Sequence, residues 1–226
     1  MRADLHCHTE ASNDCQTRLT DVPNRCRSQN IQVQAITDHN VIWGAQQLQA
    51  RVRDEGPPVR LSIIVGEEVS TRQGELIGLF LQEVVPAGLN ADETAELIHA
   101  QGGLVLLPHG FDPLKRHRLR SEVRERLADH IDIVESFNAQ VSAPHWNQMA
   151  EVWATQHHLP ISGGSDAHTL TQIGRGWVEA DDCSVHQPDD LIEALWSGAV
   201  GGKWVHPVRS FLNKVWTERF AGAFQK

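Results

Sequence analysis

The chain has 226 residues, 40% hydrophobic and 22% charged, with a formal net charge of −9, the profile of one large globular domain that buries a core without disulfides. That charge disfavours nonspecific binding to nucleic acid or anionic membranes, and no apolar run approaches the ~20 residues of a membrane span, nor does the N-terminus carry a basic-then-apolar leader. A cytoplasmic location is therefore expected, with Cys7, Cys15, Cys26 and Cys183 as reduced thiols, because they form no CxxC pair and no structural-zinc spacing.

Residues 2–7 read as a strand, which places His6 and His8 on one face and Leu5 and Cys7 on the other. A helix is expected over 21–29. Residues 33–37 read as a strand running into Asp38-His39-Asn40, and 43–53 as a helix. Strand 61–65 delivers Gly66-Glu67-Glu68, and 69–81 reads as a strand pair turning at Gln73-Gly74. The helix over 91–101 has Asp92, Glu93 and Glu96 near its start, where they suit the helix dipole, and Gly102-Gly103 stops it. Strand 104–107 ends at Pro108-His109-Gly110. A charged helix follows over 119–129, then strand 131–134 ending at Glu135. Helix 143–156 takes Pro144 in its first turn. Strand 159–162 runs into Gly163-Gly164-Ser165-Asp166-Ala167-His168. The last helix covers 189–196, and the Trp- and Phe-bearing tail is expected to pack over one end. Without repeats or linkers, residues 1–226 read as a single domain.

Strands alternating with helices predict an α/β fold with a parallel sheet. In such folds functional residues gather at the C-terminal ends of the strands. Five runs end in metal-competent residues: His39, Glu68, His109, Glu135, and Asp166 with His168. With His6 and His8 they converge on one mouth. Neutral imidazole is the commonest nitrogen donor to Zn, Fe or Mn, so the sequence points to a metal site.

Taken in order, Asp4-Leu5-His6-Cys7-His8-Thr9 with Ser12 and Asp14, Ile36-Thr37-Asp38-His39, Gly66-Glu67-Glu68, Pro108-His109 and Gly164-Ser165-Asp166-Ala167-His168 resemble the motifs of the PHP (polymerase and histidinol phosphatase) superfamily. The resemblance runs over residues 2–176. It implies a distorted (β/α)7 TIM-like barrel, two or three divalent metal ions (Mn, Fe or Zn) at the C-terminal mouth, and phosphoester hydrolysis. It implies that His6, His8, Glu68 and Asp166 hold one metal. Glu68 would bridge to a second, bound also by His109, and Asp14, His39 and His168 would hold a third. Where the family usually has a further histidine, this chain has Glu75 ahead of Leu76-Ile77-Gly78. A hard oxygen donor there shifts preference toward Mn, Mg or Fe over Zn and leaves open whether the second site fills. The family often has Pro where Gly110 follows His109, a change expected to alter the loop rather than the chemistry.

The leading expectation is a phosphoesterase that hydrolyses a small-molecule phosphomonoester with a metal-activated water. Lys115, Arg116, Arg118, Arg120 and Arg175 are candidate phosphate clamps, of which Arg116 and Arg175 are taken as catalytic; a solvated basic loop is the alternative for residues 115–120. Asp38 is expected to orient the ligands or take a proton, and Asp4 to back a histidine or to end a strand. Glu135 and Asn138 stay open between substrate contact or ligand support and plain strand capping. The competing classes are a phosphodiesterase or exonuclease acting on nucleotides or RNA/DNA ends, a non-catalytic metal-stabilised module, and a hydrolase of C–N or C–O bonds. Acidity and the lack of room for an inserted lid weigh against nucleic acid. The expected partner is a small phosphorylated substrate, with no membrane, and the oligomeric state stays open.

Overall fold

A computed structural model describes residues 1–55, 61–181 and 184–206. Its strands are β1 (Arg2–Asp4), β2 (Val33–Ile36), β3 (Ser62–Thr71), β4 (Gly74–Leu79), β5 (Leu104–Leu107), β6 (Ile133–Asn138), β7 (Ile161–Gly164), β8 (Gly176–Glu179) and β9 (Ala199–Gly202). They lie in one sheet in the order β7-β6-β5-β4-β3-β2-β1-β8-β9. Beyond β1 the chain stays extended and meets the end of β7, where Leu5 N–H donates to Gly163 O (3.1 Å), Asp166 N–H to His6 O (2.8 Å) and His8 N–H to Ala167 O (3.1 Å). These bonds bend β1 to β7 into a nearly closed TIM-like barrel. Helices α1 (Val22–Ser28), α2 (Trp43–Glu55), α3 (Ala91–Ala100), α4 (Ser121–Arg126) and α5 (His145–Gln156) wrap it, and α6 (Pro188–Ser197) follows β8.

Period-two alternation divides each strand between two cores. One residue set faces inward: Ala3 and Leu5, Val33 and Ala35, Ile64, Ile77 and Leu79, Leu106 and Ile133 fill the barrel, and Leu191 and Leu195 of α6 pack against its floor. The alternate set, including Ile63, Val65, Val105, Leu107 and Val134, packs with Leu48, Ile98 and Trp153 of the surrounding helices. Higher on the same inward faces the side chains change character. Ile64 of β3 is followed two pleats up by Glu68, Ile133 of β6 one pleat up by Glu135, and Ile77 of the oppositely directed β4 is preceded by Glu75. A dry floor thus carries a charged ceiling.

The structure departs from the sequence expectation in several places. Strand β1 stops at Asp4, and the alternation breaks after it: Leu5 joins the barrel interior while Cys7 joins the outer core. β3 does not end before Glu68. It runs on to Thr71 and pairs antiparallel with β4, with Glu68 opposite Ile77 and Ser70 opposite Glu75, so one member of the barrel is antiparallel. The charged helix expected over 119–129 splits into α4 and a 3-10 turn at Ala128–His130. The antiparallel pair β8–β9, whose strands are separated in the chain by α6, is a further difference. Cys7, Cys15 and Cys26 are buried free thiols; Cys183 and the tail from 207 lie outside the described residues. Among the described residues no helix is long and apolar enough to cross a membrane.

One outward-facing group on β3 sets a pH dependence. Glu67 is wholly buried; one oxygen accepts Val85 N–H (2.8 Å) and the other has no partner among the described residues. Burial pushes its carboxyl up from 4.5 to about 7. A group raised in the folded state contributes stability that is complete below its unfolded value and lost as pH rises through the folded one. Glu67→Gln should therefore gain on the wild type between pH 4.5 and 7 and hold a constant advantage above, on the order of 3 kcal/mol. Urea unfolding of both proteins at several pH values reads the difference, and parallel curves would refute it.

Candidate metal centre

At the mouth, His6 Nε2 lies 3.2 Å from His8 Nε2, 3.4 Å from Glu68 Oε2 and 3.6 Å from Asp166 Oδ1. His8 Nε2 lies 3.3 Å from Glu68 Oε2 and 3.5 Å from Asp166 Oδ1. Donor atoms held 2.0–2.1 Å from a tetrahedral ion are about 3.3–3.4 Å apart, and the spacing of the two histidine nitrogens from each other and from each carboxylate oxygen fits such an ion. All four residues are buried. Glu68 offers its second oxygen, Oε1, to His109 Nε2 (3.0 Å).

The remaining expected residues gather around this core. His168 Nε2 meets Asp14 Oδ2 (2.9 Å), and His39 Nε2 lies 3.9 Å from Asp14 Oδ1. The rings of His39 and His168 flank His8, with centroids 4.5 and 4.4 Å away. His39 Nδ1 faces Glu68 Oε2 (3.4 Å) and Glu75 Oε1 (3.9 Å). Glu75 therefore groups with His39 and Glu68, whereas His109 groups with His6 and Asp166. Sequence reasoning had joined Glu75 to His109. Its place opposite Ser70, one pleat above Ile77 on β4, turns it toward His39 instead.

The electrostatics ask for cations. Burial opposes charge on His6, yet Glu135, Glu68 and Asp166 hold its pKa well above the ordinary value. Burial also opposes charge on His8, whose bonds with Asp166 and Glu68 raise it to about 9. Burial, with Glu68 and Asp166 as close like charges, drives Glu75 up to about 9. Against its burial, Asp166 is held well below the carboxylate range by Lys115, His6 and His8. Packing this many carboxylates together without counter-charge is costly, and divalent ions relieve it.

A second layer holds the donors in place. Glu135 Oε1 pairs with His6 Nδ1 (3.0 Å), while its Oε2 accepts His109 N–H (2.7 Å) and Asn138 Nδ2–H (2.9 Å). Asn138 Nδ2 also reaches Asp166 Oδ2 (3.2 Å), which leaves Oδ1 facing the histidines. A carboxylate behind a ligating histidine fixes its tautomer and raises its basicity. Asp38 is a brace: its carboxylate accepts from Thr9 N–H (2.6 Å), Thr9 Oγ1–H (2.6 Å) and Ser12 Oγ–H (2.8 Å). Ser12 Oγ in turn lies 3.3 Å from His8 Nδ1 and accepts His39 N–H (2.9 Å). The proton-taking role considered for Asp38 is thus replaced by an orienting one. Asp4 ties down the far side, accepting Ser165 N–H (2.9 Å) and Gly174 N–H (3.1 Å), with its carboxyl raised to about 6 by burial. His109 (φ 29°) and Asp166 (φ 48°) sit in the left-handed region, a strain typical of functional positions.

Two of the expected cations are elsewhere. Arg175 Nε–H donates to Thr171 O (3.3 Å), a carbonyl that Arg25 also binds (2.9 Å), which turns its side chain onto the 3-10 turn Leu170–Gln172 after His168. Arg116 is exposed and has no ion pair among the described residues. The cation that enters the cluster is Lys115, whose Nζ contacts Asp166 Oδ2. The two residues that sequence reasoning left most open, Glu135 and Asn138, are the central supports. Their signal was present in the strand-end position of Glu135, but its inward direction was not.

Gly164 makes this packing possible. A Cβ there would collide with Glu135 Oε1 and with His6 Cβ. Gly164→Ala should displace both side chains, lowering thermal stability by about 1–3 kcal/mol and depleting bound metal. Calorimetry with metal analysis checks it; an unchanged metal content would contradict the geometry.

A family model described as "PHP domain" matches residues 4–152, and one described as "PHP-associated" matches 144–200. Uncharacterized protein MJ0417 of Methanocaldococcus jannaschii is 32% identical over 196 residues, 84% of this chain and 75% of its own length. A 5′-3′ exoribonuclease of Haemophilus influenzae is 33% identical over 92 residues, 40% of this chain and 29% of its own. In three dimensions the fold is similar to a two-domain protein of Bacteroides vulgatus containing a predicted PHP-like metal-dependent phosphoesterase, with a TM-score of 0.71 at 16% identity, covering 95% of this chain and 69% of that one.

Proposed function

This chain belongs to the PHP domain family, and on that premise we propose that it is a metal-dependent phosphoesterase that hydrolyses the phosphomonoester of a small molecule. The observation that carries the reading is the buried cluster of His6, His8, Glu68 and Asp166, in which the two histidine nitrogens lie 3.2 Å apart and each lies 3.3–3.6 Å from both carboxylates. Glu68 extends it to His109, and Asp14, His39, His168 and Glu75 line its other side. Mn, Fe or Zn are the expected ions, two or three in number. Divalent ions held there supply Lewis-acid charge and a water acidic enough to attack at neutral pH.

The chain's own groups do the rest. Lys115, the cation in contact with the cluster, would hold a phosphoryl oxygen. Glu135 and Asn138 keep His6, His109 and Asp166 aimed, and the Asp38–Ser12 pair does the same for His8 and His39. The burial of the cluster keeps its electrostatics strong. A diester or nucleic-acid end is the second reading, favoured by the stretch shared with the H. influenzae exoribonuclease.

Metal analysis of the purified protein, combined with turnover of p-nitrophenyl phosphate and bis-p-nitrophenyl phosphate, tests both. Bound divalent metal with monoester turnover is the expected result. Activity on the diester alone would promote the second reading, and a metal-free, inactive protein would end both.

A further inference from the structure

Beside the mouth runs a groove of about 300 Å³, at the small end of ligand sites. Arg72 and Gly74 at the tip of the β3–β4 hairpin form one wall, and Lys115, Arg116, Arg118 and Arg120, from the loop after β5, form the other. Five cations therefore meet in one depression of a chain whose net charge is −9. Arg72, Arg116, Arg118 and Arg120 have no carboxylate partner among the described residues. The unspent charge faces solvent in the groove.

The two walls are locked together. Glu75 N–H donates to His117 O (2.7 Å) and Arg120 N–H to Gln73 O (3.1 Å). Gly74, at φ 139°, lies so close that a Cβ would run into the backbone of Leu119 and Arg118. The groove also joins the metal centre: Lys115 lines it and touches Asp166, and Glu75, next to Gly74, faces His39. Guanidinium groups are suited to phosphate because they present paired donors in a plane.

We propose that this groove binds a second phosphate of the substrate, so that the preferred ester carries two phosphates, one cleaved at the metal centre and one held by the arginines. The proposal rests on the phosphoesterase reading. In the reaction, a water oxygen bonds to the first phosphorus, the ester P–O bond breaks and the departing oxygen takes a proton, while the second phosphate makes and breaks no bond. Small bisphosphates and phosphorylated nucleic-acid ends both present this chemistry.

The test uses the full metal-loaded chain and the exposed-site variants Arg72→Glu and Arg116→Glu, singly and together. Binding of inositol hexasulfate, a polyanion that is not a phosphoester, is measured by calorimetry. Turnover is compared for a hexose bisphosphate against its monophosphate, and for a trinucleotide with and without a 5′-phosphate. The double variant should bind the polyanion at least about tenfold more weakly, and its preference for the doubly phosphorylated member of one pair should fall by a similar factor. Loss in the hexose pair assigns a small bisphosphate, and loss in the trinucleotide pair a nucleic-acid end. Unchanged binding with unchanged preference overturns the proposal. A chain inactive on every ester, whose polyanion binding still weakens in the variants, overturns the phosphoesterase reading and supports the anion groove.

Discussion

His8→Ala and Asp166→Ala should each abolish turnover, by at least about a thousandfold, and each should lower the metal content of the purified protein. The two substitutions remove different kinds of donor from the same place. His8 contributes Nε2 to the cluster, and its ring packs against those of both His39 and His168, so its loss opens the wall shared by two ligand groups. Asp166 contributes Oδ1 and, through Oδ2, holds Lys115 and Asn138. Removing it leaves Lys115 without its contact as well as depriving the cluster of charge. The fold should survive, because both residues stand above the apolar floor and carry none of the barrel's interior packing. Metal analysis, circular dichroism and turnover on one preparation separate the effects. Full metal content with normal turnover in either variant would refute the assignment of the centre.

How much of this was legible in the sequence varied with how local the signal was. His6 and His8 were readable because residues i and i+2 of an extended segment share a face: the alternation that breaks at Leu5 resumes across His6-Cys7-His8, with Cys7 on the opposite side. Asp166 and His168 were readable from a short motif placed after a strand. Glu68 does stand beside His6 and His8, but not for the reason the sequence offers: it is not at a strand end but inside a long hairpin strand, and its inward direction comes from sharing a face with Ile64. The partner of Glu75 depended on the β3–β4 register, which sequence spacing does not specify. Lys115 and Arg116 are adjacent and chemically alike, so only the loop's path decides which enters the site. Arg175 was misplaced because it follows His168 closely in sequence, while the turn between them sends its side chain to Thr171. The β8–β9 pair is hidden in the sequence because α6 separates its strands and its glycines blur the strand pattern. Those at 176 and 202 are needed for close approach to Gly164 and the Phe137 ring.

Glu135→Gln should cost about 10–100-fold in metal affinity with little change in thermal stability. The substitution is nearly isosteric, so the crowding around Gly164 is unchanged. What changes is the hydrogen-bond inventory. The carboxylate accepts from three directions: the His6 ring at one oxygen, and His109 N–H and Asn138 at the other. An amide has only one accepting oxygen. If that oxygen serves His109 N–H, the amide NH2 faces His6 Nδ1 and favours the tautomer whose proton sits on Nε2, the atom that must donate its lone pair. If it serves His6, the NH2 confronts the buried His109 N–H, leaving that donor unpaired at a backbone already held at φ 29°. Either arrangement degrades one donor of the cluster. A competition titration with a chelator gives the affinity, and Glu135→Asp is the companion variant: it keeps the charge but draws it back by one carbon. Affinity should follow the order wild type, then Glu135→Asp, then Glu135→Gln, whereas equal affinities across the three would mean that Glu135 merely fills space behind His6.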